Sequence, residues 1–335
     1  MNKLLITVVV PTYNNEVDIR NCLASIRKQN FPQKSIEILI CDGGSKDNTL
    51  KIAKDFNCRI VYNKKKLAEY GVALGFSLAK GEFITVLAAD NEFLEKSYFK
   101  KIIETFYDDK NIILAYPKQV SSVKDTWISK YINTFTDPVN HFIYGSASNT
   151  RTFSKIFPLK RKSKNYLIYN FSPIDYPMIA LAQGTTVRKK LFVRNEAVLG
   201  DDIFPIVNIL NKGYDLAYVP EALLVHHTIK SISIFIKKQR WSINNYLLKK
   251  GYGLNIRTGY FSKLRIFKIY FWPFYAASFF LPIINSIKGL IIDRNIYWIY
   301  HPFLTFITFL CLIFEVIRVK ILKKTEGIVR GNEKI

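Results

Sequence analysis

Three short polar segments carry the residues best suited to chemistry in this 335-residue chain. Each follows an apolar run. They read Pro11-Thr12-Tyr13-Asn14-Asn15-Glu16, Asp42-Gly43-Gly44-Ser45-Lys46-Asp47 and Ala88-Ala89-Asp90-Asn91-Glu92. Asp42 and Asp90 are carboxylates of the kind that bind sugar hydroxyls or a cation. Taken singly, each segment also suits an ordinary helix start: Asp47 or Asn48 caps a following helix, and Gly43-Gly44 turns the chain. Three of them on one edge of one sheet would make a polar site.

The flanking pattern puts them there. Apolar runs at Leu4–Val10, Ile36–Cys41, Arg59–Tyr62, Phe83–Leu87 and Ile112–Tyr116 read as strands. They alternate with helical periodicity over Val17–Gln29, Asn48–Phe56, Leu67–Ala79 and Leu94–Tyr107. Strand–helix alternation of this kind predicts an α/β fold, a mostly parallel sheet with helices on both faces. Ligands of such sheets bind outside the carboxyl ends of the strands, where all three segments fall. No G-x-G-x-x-G and no G-x-x-x-x-G-K-[ST] follows the first strand, which excludes the dinucleotide and P-loop fingerprints.

Composition narrows the class. Lys and Arg number 49 against 26 Asp and Glu, a net charge of +23, and hydrophobic residues make up 49%. A disordered chain is excluded by that apolar content. A disulfide framework is excluded by four cysteines, Cys22, Cys41, Cys58 and Cys311, which lack metal-ligand spacing and read as core residues. Positive charge is concentrated: Ala222–Ile292 holds no acid and eleven Lys or Arg, and Arg151–Lys164 holds six and no acid. Beside aromatic, apolar sequence this points to an anionic membrane face. Nucleic acid is not the expected partner, because zinc-finger spacing, RNP-type aromatics and a basic zipper are all missing.

Two C-terminal stretches, Ile269–Ile287 and Ile296–Ile317, reach the length of a bilayer span. Pro273 and Pro282 are better tolerated in lipid than in a soluble helix. Lys263, Arg265 and Lys268 precede the pair and Arg318, Lys320, Lys323 and Lys324 follow it, so a transmembrane hairpin with both ends cytoplasmic is expected. Before it, Ser231–Lys250 is amphipathic: Ile232, Phe235, Ile236, Ile243, Tyr246 and Leu247 share one helical face. Such a helix suits either the headgroup layer or the surface of the soluble part. The N-terminal Leu4–Val10 run is short, lacks a cleavage site and reads as a buried strand, so the chain is expected to start in the cytoplasm.

The ordered set of motifs resembles the family 2 glycosyltransferases of GT-A fold, over roughly residues 5 to 250. The carrying residues are Val8-Val-Val-Pro-Thr-Tyr-Asn-Asn-Glu, Cys41-Asp-Gly-Gly-Ser-Lys-Asp-Asn-Thr and Gly81-Glu-Phe-Ile-Thr-Val-Leu-Ala-Ala-Asp-Asn. The resemblance implies an inverting hexosyltransferase-like enzyme, a nucleotide-sugar donor and a divalent cation, Mn²⁺ or Mg²⁺. It implies donor contacts at Pro11, Tyr13, Glu16, Asp42, Ser45, Asp47, Asp90 and Asn91. Gly200-Asp201-Asp202-Ile203 matches the family's paired acids, the second of which, Asp202, is the expected base beside Asp201. The bland reading of that pair is an acidic start to the next helix, and both readings can hold.

Two positions depart from the family pattern. Ala88 stands where the first acid of the D-x-D motif is usual, and Ala73-Leu74-Gly75 stands where Asn-x-Gly is frequent. His226 or His227, in Val219-Pro-Glu-Ala-Leu-Leu-Val-His-His, is placed to join Asp90 as a cation ligand, and His226 is the preferred one. Gly184 and the Lys238-Gln239-Arg240-Trp241 element resemble acceptor-side residues. Arg151, Lys155, Lys160, Arg161 and Lys162 suit a lipid phosphate by charge.

The expected organisation is a donor half over 1–116, an acceptor half over 117–230, an interfacial segment over 231–262, the hairpin over 263–322 and a basic tail over 323–335. The expected activity is sugar transfer to a lipid-linked or cell-surface glycan at the cytoplasmic face of the cell membrane. The alternatives are a polyprenyl-phosphate sugar synthase and a degenerate sugar-nucleotide-binding protein, the latter resting on Ala88.

Overall fold

The computed structural model describes residues 4–192, 201–247 and 253–322. Gly200, Lys249, Lys250, the side chains of Tyr246 and Leu247, and the 323–335 tail with Lys323 and Lys324 lie outside the described residues. Two compact units form. One is Met1–Ser122 with Ser154–His226; the other is Val123–Phe153 with His227–Ile335. The second therefore takes a piece out of the expected 117–230 half.

The first unit is built on one sheet. Its strands are β1 (Ile6–Thr12), β2 (Ile36–Asp42), β3 (Arg59–Tyr62), β4 (Phe83–Leu87), β5 (Asn91–Phe93), β6 (Ile112–Val120), β7 (Leu159–Lys162), β8 (Leu167–Tyr169), β9 (Gln183–Arg188) and β10 (Asp215–His226). Their order is β3-β2-β1-β4-β9-β6-β10-β8-β7, with β5 paired to β10. The helices are α1 (Ile19–Arg27), α2 (Thr49–Asp55), α3 (Ala68–Leu78) and α4 (Tyr98–Asp108), and later α7 (Pro205–Asn211). Each of the five strands and four helices read from the pattern is present, within a few residues at its ends.

The physical reasons are local. β1 is buried at all seven positions and rich in β-branched residues, as a central parallel strand requires. α1 buries Ile19, Cys22, Leu23 and Ile26, one stripe at helical spacing. α3 comes close to the sheet: a Cβ on Gly75 would sit 2.2 Å from a Val9 methyl, and one on Gly71 would sit 3.2 Å from the Pro11 Cβ.

Only the β3-β2-β1-β4 half is purely parallel. The sheet as a whole is mixed, which corrects the mostly parallel expectation: β9 runs antiparallel to both β4 and β6, and β8 antiparallel to β10. The reason is connectivity. β8 already runs opposite to β10 and ends toward the amino edge, and the 170–182 loop carries the chain from there across to the carboxyl edge, so β9 starts at that edge and runs in the same reversed sense as β8. This reversal starts β9 where β4 ends, with Gln183 opposite Leu87.

The second unit is helical: α5 (Trp127–Phe135), α6 (Pro138–Tyr144), α8 (Ile232–Ser242), α9 (Leu254–Arg257), α10 (Lys263–Ala277), α11 (Phe280–Ile292) and α12 (His301–Val316). The two expected spans are not equally met here. The first apolar stretch is not one helix but α10 and α11, bent by 100°. Phe279 takes a left-handed φ of 54° at the break. Pro282 then falls in the first turn of α11, where its missing N–H costs nothing. Ile296–Ile321 is continuous and is the only helix among the described residues that is long and apolar enough to cross a bilayer by itself.

The α3–β1 approach sets a test. Gly75→Ala forces a methyl into Val9, and overpacking of this kind costs about 1–3 kcal/mol. Urea unfolding should show that loss, and Val9→Ala should relieve most of it in the double variant. Additive losses would mean that the contact is not the cause.

Candidate active site

Register brings the first two polar loops side by side. β1 and β2 pair in parallel with Pro11 opposite Cys41 and Thr12 opposite Asp42, so both strands end at one level. The loops then bind each other. The Asn14 N–H donates to Ser45 Oγ at 2.9 Å, Lys46 N–H to Asn14 Oδ1 at 2.9 Å, and Asn15 N–H to Thr49 Oγ1 at 2.7 Å. Asp47 accepts from the Glu16 N–H at 3.1 Å, and Glu16 accepts from the Asn48 backbone and side chain at 3.0 and 2.9 Å.

Asp42 is the anchor of this knot and is 2% exposed. One carboxylate oxygen accepts from the N–H groups of Gly44 and Ser45 at 2.7 and 2.9 Å; the other accepts from the hydroxyls of Ser45 and Thr12. Four donors fill the acceptor capacity of a carboxylate. The expected donor-contact residues Asp42, Ser45, Asp47 and Glu16 thus shape the loops with their polar atoms. Pro11 is buried in β1, and Tyr13 packs on Gly43. For Asp47, burial opposes ionisation, but the Thr49 hydroxyl and the N–H groups of Glu16 and Thr49 outweigh it and hold the carboxyl below its usual 3.8.

The third loop is a tight turn. The Asn91 N–H donates to the Ala88 carbonyl at 3.0 Å, with Asp90 near the tip. Ala88, in the position of the missing acid, contributes backbone: its N–H donates to the Ala182 carbonyl at 2.8 Å. Asn91 Nδ2 donates to the same carbonyl at 3.1 Å. Asn91 itself is fully buried, so it holds this turn against the 180–183 loop.

β5 then pairs with the end of β10, Asn91 opposite His226. This sets His226 Nε2 3.7 Å from Asp90 Oδ2, the two residues named in sequence as cation ligands. Gln119 meets the other ring nitrogen of His226 at 2.8 Å. As placed, the Gln119 amide nitrogen donates to Nδ1, and a cation at Nε2 would need the amide turned over so that its oxygen takes an Nδ1–H. His227 does not join them; its Nδ1 lies 2.7 Å from Asp125 in the helical unit.

A cation site can be tested on these donors. No group of three or more His, Cys, Asp or Glu close enough to hold a metal exists among the described residues. Asp90 and His226 offer two. Mg²⁺ is commonly held by one or two protein groups, with substrate phosphate and water completing its shell, and Mn²⁺ accepts the same oxygen and imidazole donors. The pair fits a cation bound jointly with a diphosphate and does not fit one held by protein alone.

Asp201 and Asp202 divide in role. Asp201 is 3% exposed, and one of its oxygens accepts from the Ile203 and Phe204 N–H groups at 2.8 and 2.7 Å, ahead of α7. The bland reading of the pair, an acidic helix start, therefore describes Asp201. Asp202 is half-buried, and its carbonyl accepts from the Leu181 N–H at 3.1 Å. Two adjacent residues, Leu181 and Ala182, thus tie the Asp202 backbone to the Asp90 turn.

Gly184 lies inside. Its φ is +72°, its carbonyl accepts from the Tyr98 hydroxyl at 2.7 Å, and a Cβ there would meet that hydroxyl, Leu224 and Pro117. Gln239 and Trp241 are 5% and 6% exposed within α8, and Arg240 pairs with Glu315 at 2.7 Å with its guanidinium over Phe314. All four acceptor-side expectations thus fall on packed positions. Of the basic set, Lys160 pairs with Asp215, Arg161 with Asp109, and Arg151 lies over Phe135. The sequence reading missed Gln119, Ala182 and Tyr98. Gln119 had a signal, a polar residue near the end of a strand at the binding edge, hidden because β6 runs four residues past its expected end. A backbone carbonyl such as that of Ala182 has none.

Residues 7–172, just under half of the chain, match the family model described as glycosyl transferase family 2. The chain is 27% identical over 326 residues to a Methanococcus voltae enzyme, covering 92% of this chain and 94% of that one. That enzyme is named dolichyl N-acetyl-alpha-D-glucosaminyl phosphate 3-beta-D-2,3-diacetamido-2,3-dideoxy-beta-D-glucuronosyltransferase. It is 34% identical over 137 residues to an uncharacterized glycosyltransferase of Mycoplasma genitalium, covering 39% of this chain and 45% of that one. In fold it is similar to a mannosyltransferase of Pyrobaculum calidifontis solved with GDP-Man and Mn²⁺, with a TM-score of 0.55, 14% identity, and coverage of 95% of this chain and 87% of that one. The fold is thus GT-A-like α/β, and residues 7–172 resemble the family 2 glycosyltransferases.

Two expectations follow for the knot. Asp42→Ala strands the Gly44 and Ser45 donors and should cost about 1–3 kcal/mol in unfolding free energy, with donor affinity falling in parallel. Unchanged stability would show that the knot holds without it. Because Asp47 titrates lower folded than unfolded, its stabilisation is complete above its unfolded value near 3.8 and is lost as pH falls through the folded value. Asp47→Asn should therefore shift the urea midpoint at pH 7 and much less at pH 3.

Proposed function

We propose that this chain is a membrane-attached, inverting family 2 glycosyltransferase that moves a hexose-type sugar from a nucleotide diphosphate to an acceptor carried on a lipid phosphate. The observation that carries the reading is the hydrogen-bonded frame in which the Ala182 carbonyl holds the Asp90–Asn91 turn while the adjacent Leu181 N–H holds Asp202. It joins the two carboxylates that such a reaction needs.

Inverting transfer is an in-line displacement at the anomeric carbon. A carboxylate takes the acceptor hydroxyl proton as that oxygen attacks, and the bond to the diphosphate oxygen breaks with its electron pair leaving on phosphate. Asp202 has the base role; Asp201, with its oxygen on two helix N–H groups, orients the segment. The leaving diphosphate needs positive charge nearby. A divalent cation held by Asp90 and His226 would supply it, and Gln119 keeps the imidazole in position. The knotted β1 and β2 loops provide the rigid edge against which the nucleotide lies, at the carboxyl ends of the strands.

The acceptor class rests on the Methanococcus enzyme, whose printed name gives a dolichyl-phosphate-linked sugar and which aligns along nearly the whole chain. Membrane attachment rests on the helical unit. It exposes Phe267, Tyr270, Phe274, Phe280, Ile291 and Ile292, among others, on α10 and α11. The basic residues that flank these helices support the cytoplasmic face.

The test is donor turnover by detergent-purified protein across UDP-, GDP- and dTDP-sugars, with Mn²⁺, Mg²⁺ or EDTA. One donor should be hydrolysed slowly, and EDTA should stop it. Asp202→Asn should lower turnover by about 10²–10⁴-fold, the scale of general base catalysis, with donor affinity within twofold. His226→Ala should raise the Mn²⁺ concentration needed for half-maximal rate. Full activity of the Asp202 variant would refute its role, and no binding of any donor would refute the enzyme reading.

A further inference from the structure

The helical unit bears on how such a protein meets the bilayer, an inference that rests on the membrane attachment just proposed. α10 has 15 residues and α11 has 13, so each is about 20 Å long at 1.5 Å per residue, short of a hydrocarbon core of about 30 Å. Bent by 100°, the pair is a broken span or a re-entrant loop, not one straight helix. The bend is held by the unit itself. Asn285 of α11 donates to the Tyr275 hydroxyl of α10 at 3.0 Å, and that hydroxyl meets His301 Nε2 at 3.0 Å. The other His301 nitrogen meets the Tyr131 hydroxyl of α5 at 2.7 Å. Ser286 donates to the Trp298 carbonyl at 2.8 Å, Trp298 donates to Asp293 at 3.0 Å, and Gly289 leaves room for the Trp298 ring.

Ile296–Ile321 is long enough to cross, yet both of its ends are tied to the same polar-bearing scaffold. At its start, Tyr300 stacks on Trp127 and His301 bonds to Tyr131, both of α5. Near its end, the fully buried Glu315 pairs with Arg240 of α8 and with Arg318. α5 and the start of α8 are joined in turn, because Thr126 donates to the Ile229 carbonyl and the Thr228 N–H to Ser129. α8, with 11 residues, extends about 16 Å. A scaffold of that length, carrying the exposed Lys237, is shorter than a hydrocarbon core of about 30 Å, which favours contact points that lie on one side of it.

We propose that residues 263–322 enter one leaflet of an anionic bilayer and return, so that the chain before Lys263, the 293–295 turn and the chain after Leu322 all face the same aqueous phase. The apolar residues exposed on α10, α11 and α12 meet acyl chains. Lys263, Lys288, Arg294 and Lys320, all exposed, meet anionic headgroups at the rim.

The experiment has two stages. The full chain is first floated with phosphatidylcholine–phosphatidylglycerol vesicles. Flotation supports attachment; a detergent-free soluble oligomer would put a second copy on the apolar face and overturn the membrane reading itself. Then Gly259→Cys, which has open space around it, Arg294→Cys and Asn332→Cys are each made in a Cys58→Ser background. They are labelled with a membrane-impermeant maleimide in right-side-out and inside-out vesicles. Labelling of all three in the same orientation is expected. Position 294 alone reversed would show a two-crossing hairpin, and 332 alone reversed would show that Ile296–Ile321 crosses. Either result overturns the single-leaflet assignment.

Discussion

The geometry of the first unit turns on one backbone carbonyl. Ala182 sits ahead of β9 and accepts from both the Ala88 N–H and the Asn91 side chain. Buried backbone acceptors in native proteins are paired, and the pairing here also fixes the turn that presents Asp90. The neighbouring Leu181 N–H reaches the Asp202 carbonyl. β9 can place these residues at the binding edge because it runs antiparallel to β4 and so begins where β4 stops. A parallel strand in its place would begin at the far edge. The reversal that makes the sheet mixed is therefore what assembles the site.

Rigidity at the carboxyl ends of β1 and β2 comes from polar side chains turned inward. Asp42 holds four donors, while Glu16 and Asp47 bridge the β1 and β2 loops in both directions. Acids at a binding edge are commonly read as ligand contacts. Here their oxygens satisfy the N–H groups of loops that would otherwise be free to move, which is a form of preorganisation. The site thus has a stiff wall knotted from two loops, and a turn where Asp90 and His226 face each other under the constraint of β5 and Gln119.

The helical unit is arranged differently. Its polar groups, Tyr131, Tyr275, Asn285 and His301, bond to one another, and Glu315 is enclosed by two guanidinium groups. Many large apolar side chains of α10 to α12, Phe267, Phe274, Phe280, Ile291 and Phe314 among them, are left outside, while Trp272, Leu304 and Leu312 pack within. Inward polar pairing with outward apolar exposure is the arrangement lipid demands, since a backbone or side-chain group without a partner costs several kcal/mol there.

Strand and helix positions along the first 116 residues and the three loops were legible in the sequence, because hydrophobic period and turn chemistry are properties of neighbours along the chain; a histidine beside Asp90 came from the family resemblance, which left His226 and His227 both open. The acceptor-side reading of Gly184, Gln239, Arg240 and Trp241 was not settled there; the same residue types serve an active site or a packed interior, and only their surroundings decide. The 100° break at Phe279 was equally hidden, since composition counts apolar residues and does not register a single left-handed φ. The sequence by itself determined most strands and helices of residues 1–116 and which residues carry charge. The tertiary structure alone decided the sense of β9, the split of Asp201 from Asp202 and the bend of α10 on α11, because each depends on hydrogen bonds and packing between residues far apart in the chain.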